Sequence, residues 1–215
     1  MVFVGRDQET NRIVELIEQN NNVIVSGKYG IGRTSLIRHI ADITKNRWRF
    51  IFIDFSQTPA RACQAILSQL LTEKKFIGRK NKKYEFNRFL LVNLEFEDQR
   101  QCVIVLDNIA KLSHPKIALI RDLAWGKRFL LVAIAEAFLP EKDFFLLRKA
   151  LIPVEVITIQ NLSQQNSEKL LQQFSEKYQF NWDDRQIKIF ASIIQGYALG
   201  IRELVTRKLK GECSP

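Results

Sequence analysis

Residues 23–40 read "VIVSGKYGIGRTSLIRHI", and the spacing within them decides the fold. A branched apolar run ends at Gly27, further glycines follow at Gly30 and Gly32, and an apolar pattern of helical period opens at Thr34. Glycines at such a turn let backbone N–H groups point inward around an anion, in dihedrals that side chains resist. The helix behind them adds the positive end of its dipole. The stretch matches the phosphate-loop pattern G-x-x-x-x-G-K-[ST] at every position but one. Arg33 stands where lysine is expected, and Thr34 supplies the hydroxyl that such loops offer to Mg²⁺. A strand-to-helix turn without a ligand is the alternative.

Arg33 bears on chemistry more than on binding. Guanidinium is planar and wide where ammonium is compact, yet it binds phosphate well. Nucleotide binding is expected to survive the replacement better than phosphoryl transfer does. Lys28 lies on the loop's other side, where a solvent-facing lysine is the simpler reading.

Around this loop, short apolar runs alternate with longer helix-period stretches. The runs at 22–26, 50–55, 102–106, 129–133 and 154–159 are read as strands, and 6–19, 34–44, 61–71, 84–96, 114–124 and 138–150 as helices. Nearly continuous apolar strands belong to parallel sheets buried on both faces. The alternation predicts an α/β doubly wound core over residues 1–159. From 160 to 215 the period is helical throughout, with Ser163 a candidate N-cap, so a small helical subdomain is expected there.

The chain has 215 residues, and 33 basic against 23 acidic side chains give it a net charge of +10. That balance favours a polyanionic partner, nucleic acid before membrane. Cys63, Cys102 and Cys213 show no C-x-x-C spacing, and His39 and His114 have no ligand pattern around them, so no disulfide framework or zinc site is expected. No membrane span or signal peptide is read, and cytosolic residence is expected.

A second acidic position accompanies the loop. "QCVIVLDNI" carries Asp107 at the end of an apolar strand, where a carboxylate can hold Mg²⁺ directly or through water. Asn108 follows, and asparagine can orient water without accepting its proton, so hydrolysis is expected to be slow. Glu136, after the fourth strand, is read as a solvated helix-capping carboxylate in preference to a substitute base.

Together "FVGRDQE" at 3–9, the loop and "VIVLDN" resemble a P-loop ATPase of the AAA+/STAND branch, initiator-like or transposon-regulator-like. "VITIQNLSQQNSEKLL" and "GYALGIREL" are similar to that branch's helical lid elements. The resemblance implies a five-stranded parallel sheet of order 5-1-4-3-2 with a C-terminal helical lid, and ATP with Mg²⁺ as cofactors. It implies that Val4, Gly5 and Arg6 border the base and ribose. Gly27, Gly30, Gly32, Arg33, Thr34 and Ser35 would hold phosphates, and Asp107 the metal with Thr34. Arg148 falls where relatives keep an arginine that completes a neighbouring subunit's site; a surface helix residue is the equal alternative. Ala198 and Leu199 replace the lid's usual proline and sensor arginine, and Arg202 lies one turn on as a substitute. Arg33 and Asn108 are departures of the same kind.

One basic segment remains. Lys74, Lys75, Arg79, Lys80, Lys82 and Lys83 fall in ten residues without an acid, with Phe76 among them and Tyr84 after. Phosphate backbones attract such a loop without reading sequence, and the aromatics can stack on bases. The expectation is an ATP-binding protein that assembles with its own copies on nucleic acid, DNA favoured, of a mobile element or replicon, and recruits other proteins. An active ATPase motor and a nucleotide-free scaffold are the alternatives.

Overall fold

The computed structural model describes residues 3–71, 83–93 and 100–211. Its strands are β1 (Asn22–Gly27), β2 (Trp48–Asp54), β3 (Gln101–Ile109), β4 (Phe129–Glu136) and β5 (Val154–Ile159). They form one sheet of order β2-β3-β4-β1-β5, every pairing parallel. This is the expected order, met from the other edge.

Alternate strand residues go to opposite faces, and here both are apolar. Val23, Val25, Val103, Val105 and Val132 cluster with Ile13, Leu16, Leu36 and Ile37 of helices α1 (Asp7–Glu18) and α2 (Arg33–Ile43). Ile24, Ile104, Leu106, Leu131 and Ala133 cluster with residues of four helices: α3 (Pro59–Leu70), α4 (Tyr84–Asn93), α5 (His114–Trp125) and α6 (Glu141–Ala150). Burial on both faces leaves no polar alternation, which is why the strands read as continuous runs.

Buried Asn22 fastens the start of β1. Its amide donates to the Leu151 carbonyl at 2.7 Å and its oxygen accepts from the Leu131 N–H at 2.8 Å. β1 thus sits between β4 and β5, while the next strand in sequence lies at the far edge. Strand order reverses at β1, and a crevice at the carboxyl ends of the strands opens at such a point. The phosphate loop leaves β1 there.

Several element boundaries differ from expectation, among them the end of β4, which runs on from 133 to Glu136. β3 runs on through Asp107 and Asn108 to Ile109, with a register shift against β4 after Leu106. α6 starts at Glu141 and not near 138, because proline disfavours helical dihedrals in the residue before it and Pro140 becomes the N-cap. The helix read to residue 96 is described as far as Asn93.

Three helices follow β5: α7 (Gln164–Tyr178), α8 (Asp184–Ile194) and α9 (Ala198–Leu209). Ser163 caps α7 as expected, accepting from the Asn166 N–H at 3.2 Å. Leu162, Leu171, Ile187, Ala191 and Ile201 form these helices' own core.

Candidate phosphate-binding site

The loop has the backbone its glycines were read to supply: φ is 154° at Gly27, 72° at Gly30 and 99° at Gly32, the N-cap of α2. Thr34, in the first turn of α2, reaches across to the end of β3. Its hydroxyl lies 3.1 Å from each carboxylate oxygen of Asp107. A hydroxyl and a carboxylate beside a phosphate cradle are a donor set that fits Mg²⁺, which takes few protein oxygens and completes its shell with water and phosphate. Thr34 and Asp107 would hold the ion, and the loop N–H groups the phosphates. Ser35 and Lys28 are exposed.

Arg33 is placed differently from its neighbours. Its side chain is buried and turned to the end of β4, where one guanidinium nitrogen donates to the Ala135 carbonyl. The other meets the Glu136 carboxylate at 2.5 Å. The two side chains are 5% and 10% exposed, so Glu136 is not the solvated helix cap expected from sequence. It is the register partner of Gly27 across the β1–β4 pairing. An acid ending an otherwise apolar strand, together with arginine in the lysine slot, was the available signal.

Asn108 adopts φ 61°, a left-handed conformation that asparagine tolerates better than most residues. Its amide donates to Asp54 at the end of β2, at 3.2 Å. Asp54 is the register partner of Asp107. Hydrogen bonds from Ser56, joined by those from Asn108 and Gln57, hold the Asp54 carboxyl below its ordinary range against the opposing effect of burial. Nearby Lys116 donates to the carbonyls of Phe55 and Ser56, and burial pushes its ammonium pKa down. Asp54 lies within the run expected as a strand at 50–55, and nothing in the sequence marks it until β2 and β3 are paired.

The start of α9 lies over the loop. Tyr197 donates its hydroxyl to the Tyr29 carbonyl at 2.7 Å, and a Cβ added at Gly30 would meet Leu199 at 2.7 Å. Ala198 lies 3.8 Å from the equivalent point at Gly32. Leucine therefore packs where relatives were said to place an arginine, and Arg202 is exposed on α9. At the other side, Gly5 and Arg6 line a cavity of about 320 Å³ with Gln160, Asn161, Leu162 and Asn166, and Val4 is half-buried outside that lining. Arg6 is itself buried, bonded to Glu9 at 2.9 Å and to the Gln160 carbonyl at 2.6 Å. Arg148 is exposed in the last turn of α6. Lys83 is exposed, while Lys74, Lys75, Arg79, Lys80 and Lys82 lie outside the described residues.

Comparison with known proteins places these features in context. The family model described as the AAA ATPase domain matches residues 2–132. Comparison with curated proteins finds no match. Among solved structures, the Orc1 protein of Aeropyrum pernix in complex with DNA is 17% identical with a TM-score of 0.71, covering 96% of this chain and 59% of its own. Cdc6p of Pyrobaculum aerophilum is 14% identical with a TM-score of 0.68, covering 96% of this chain and 62% of that one. A STAND protein with a tetratricopeptide repeat sensor from Pyrococcus horikoshii is 18% identical with a TM-score of 0.57, covering 100% of this chain and 33% of that one. The chain thus spans less than two thirds of each of these three structures.

Proposed function

Because the chain belongs to the AAA ATPase domain family, we propose that it binds ATP with Mg²⁺ and assembles with copies of itself on nucleic acid. DNA of a mobile element or replicon is the partner we favour, with other proteins recruited to the assembly. The observation that carries the nucleotide reading is the convergence of Thr34 and Asp107, 3.1 Å apart, at the glycine loop. When bound, Mg²⁺ neutralises phosphate charge. The loop and the start of α2 cradle the phosphates, and Gly5 and Arg6 border the base and ribose side.

Slow or absent hydrolysis is part of the proposal. Asn108 cannot take a proton from water, Arg33 is engaged by Glu136, and Leu199 offers no charge over the loop. ATP on this reading is a ligand that joins subunits more than a fuel. Exposed Phe145 and Arg148 lie three residues apart on α6, an apolar-plus-cationic face suited to a neighbour's site. Nucleic-acid contact is supported by the +10 charge, by the basic run that ends at Lys83, and by the likeness to an Orc1 protein solved with DNA. The core at 1–159 and lid at 160–215 are proposed as the two moving parts.

Sedimentation of the protein with duplex DNA, with and without Mg·ATP, tests this. Larger DNA-bound species that require ATP and are lost in Arg148→Ala are expected; identical profiles with and without ATP overturn the assembly reading. The contact of Tyr197 and Leu199 with the loop also favours a second reading, a nucleotide-free scaffold whose lid is fixed on the core. That reading predicts no change in melting temperature with Mg·ATP.

A further inference from the structure

We propose that Glu136 sets the site's selectivity among nucleotides: it occupies Arg33 with the contact that the terminal phosphate of a triphosphate would make, so the site discriminates against that phosphate. This rests on the nucleotide reading above and specifies it further. The geometry is direct. Arg33 is the basic residue of the phosphate loop, buried, and its outward nitrogens are both taken by the end of β4. A guanidinium recognises carboxylate and phosphate through the same fork of donors, so the two anions compete for one site.

Position strengthens the point. Glu136 pairs in register with Gly27, the glycine that opens the loop, so it ends the strand beside the loop with its carboxylate on the loop's own arginine. A triphosphate reaching Arg33 must displace that carboxylate or lie beside it, like charge against like charge in a poorly hydrated place. A diphosphate held by the loop N–H groups and the dipole of α2 meets neither demand. ADP is therefore expected to bind about as well as ATP, or better. Removing the charge while keeping the shape should release Arg33 to the triphosphate.

The test is a pair of affinities, Mg·ATP and Mg·ADP, measured by titration calorimetry on the full chain and on Glu136→Gln. The ratio of ATP to ADP affinity is expected to rise roughly ten- to hundredfold in the variant, the scale of a close charge pair. A purely structural ion pair would instead weaken both nucleotides together and leave the ratio unchanged, which overturns the proposal. So would a wild-type protein that prefers ATP by tenfold or more. If Glu136→Gln does not fold, Glu136→Asp draws the carboxylate back by one methylene, and the ratio should move the same way. Binding of both nucleotides with an unmoved ratio leaves the nucleotide site standing and removes this inference alone. Binding of neither by any variant removes both.

Discussion

At Asn108 two demands meet on one residue. The chain needs a left-handed backbone there for β3 to continue past its register shift, and it needs an amide that reaches Asp54. Asparagine meets both, whereas glutamate, the residue expected of a hydrolytic relative, meets neither well. Asn108→Glu should therefore lower stability by about 1 kcal/mol, the order of cost for a side chain forced into left-handed dihedrals. Urea unfolding measures it, and a variant as stable as wild type would show that the backbone conformation does not select the residue. Cys63 makes a different case. Burial pushes its thiol up to about 12, so at pH 8 it is a neutral thiol without thiolate reactivity. Iodoacetamide should leave Cys63 unlabelled in the folded protein and label it in denaturant, as mass spectrometry of peptides will show.

At the scale of elements, the joints carry the polar detail. Asn22 satisfies one carbonyl and one N–H on the strand and loop beside it, so Asn22→Ala strands both in the interior. A loss of roughly 2–3 kcal/mol is expected from urea unfolding, the scale of unsatisfied buried groups. The corner between α8 and α9 is as tight. Gly196 has φ 75°, accepts from the Leu162 N–H at 3.0 Å, and would bring a Cβ to 2.0 Å of the Leu162 carbonyl. Gly196→Ala should loosen the three-helix unit, read as faster amide exchange across α8 and α9 with β1, β3 and β4 unchanged.

These joints also show what the sequence could disclose. All five strands lay within a few residues of their observed positions, because parallel strands buried on both faces leave a plain apolar signature. The start of α6 was missed because the apolar pattern runs through Phe138 and Leu139 while Pro140 restricts the backbone before it. The loop, Thr34 and Asp107 were legible as a motif. The fate of Arg33 was not, since its partner lies 103 residues away on a strand that becomes its neighbour only through the sheet order. Asp54 was hidden for the same reason.

For the whole molecule, the fold brings the ends of β1, β3 and β4 to one edge, with the start of α9 above them. Gly27, Asp107 and Glu136 thereby lie at the same end of the sheet as the loop. Among the described residues no helix is long and apolar enough to cross a membrane. The net charge of +10 is the property that acts at long range. Reversing Lys80, Lys82 and Lys83 to glutamate should weaken duplex binding and flatten its dependence on salt, because fewer counterions are released. Unchanged affinity and slope would place the nucleic-acid contact elsewhere on the surface.

The central claim is that the loop, Thr34 and Asp107 form a nucleotide site. Its most direct test is the melting temperature of the protein in saturating Mg·ATP, beside Gly32→Val, whose branched side chain is strained at the φ 99° turn of the loop. Ligand at about a hundred times its dissociation constant stabilises by about 2.7 kcal/mol. For a chain of this size that corresponds to a rise of roughly 5–10 °C. Such a rise is expected in the wild-type protein and its loss in Gly32→Val; a wild-type melting temperature unmoved by Mg·ATP and by Mg·ADP would contradict a nucleotide site here.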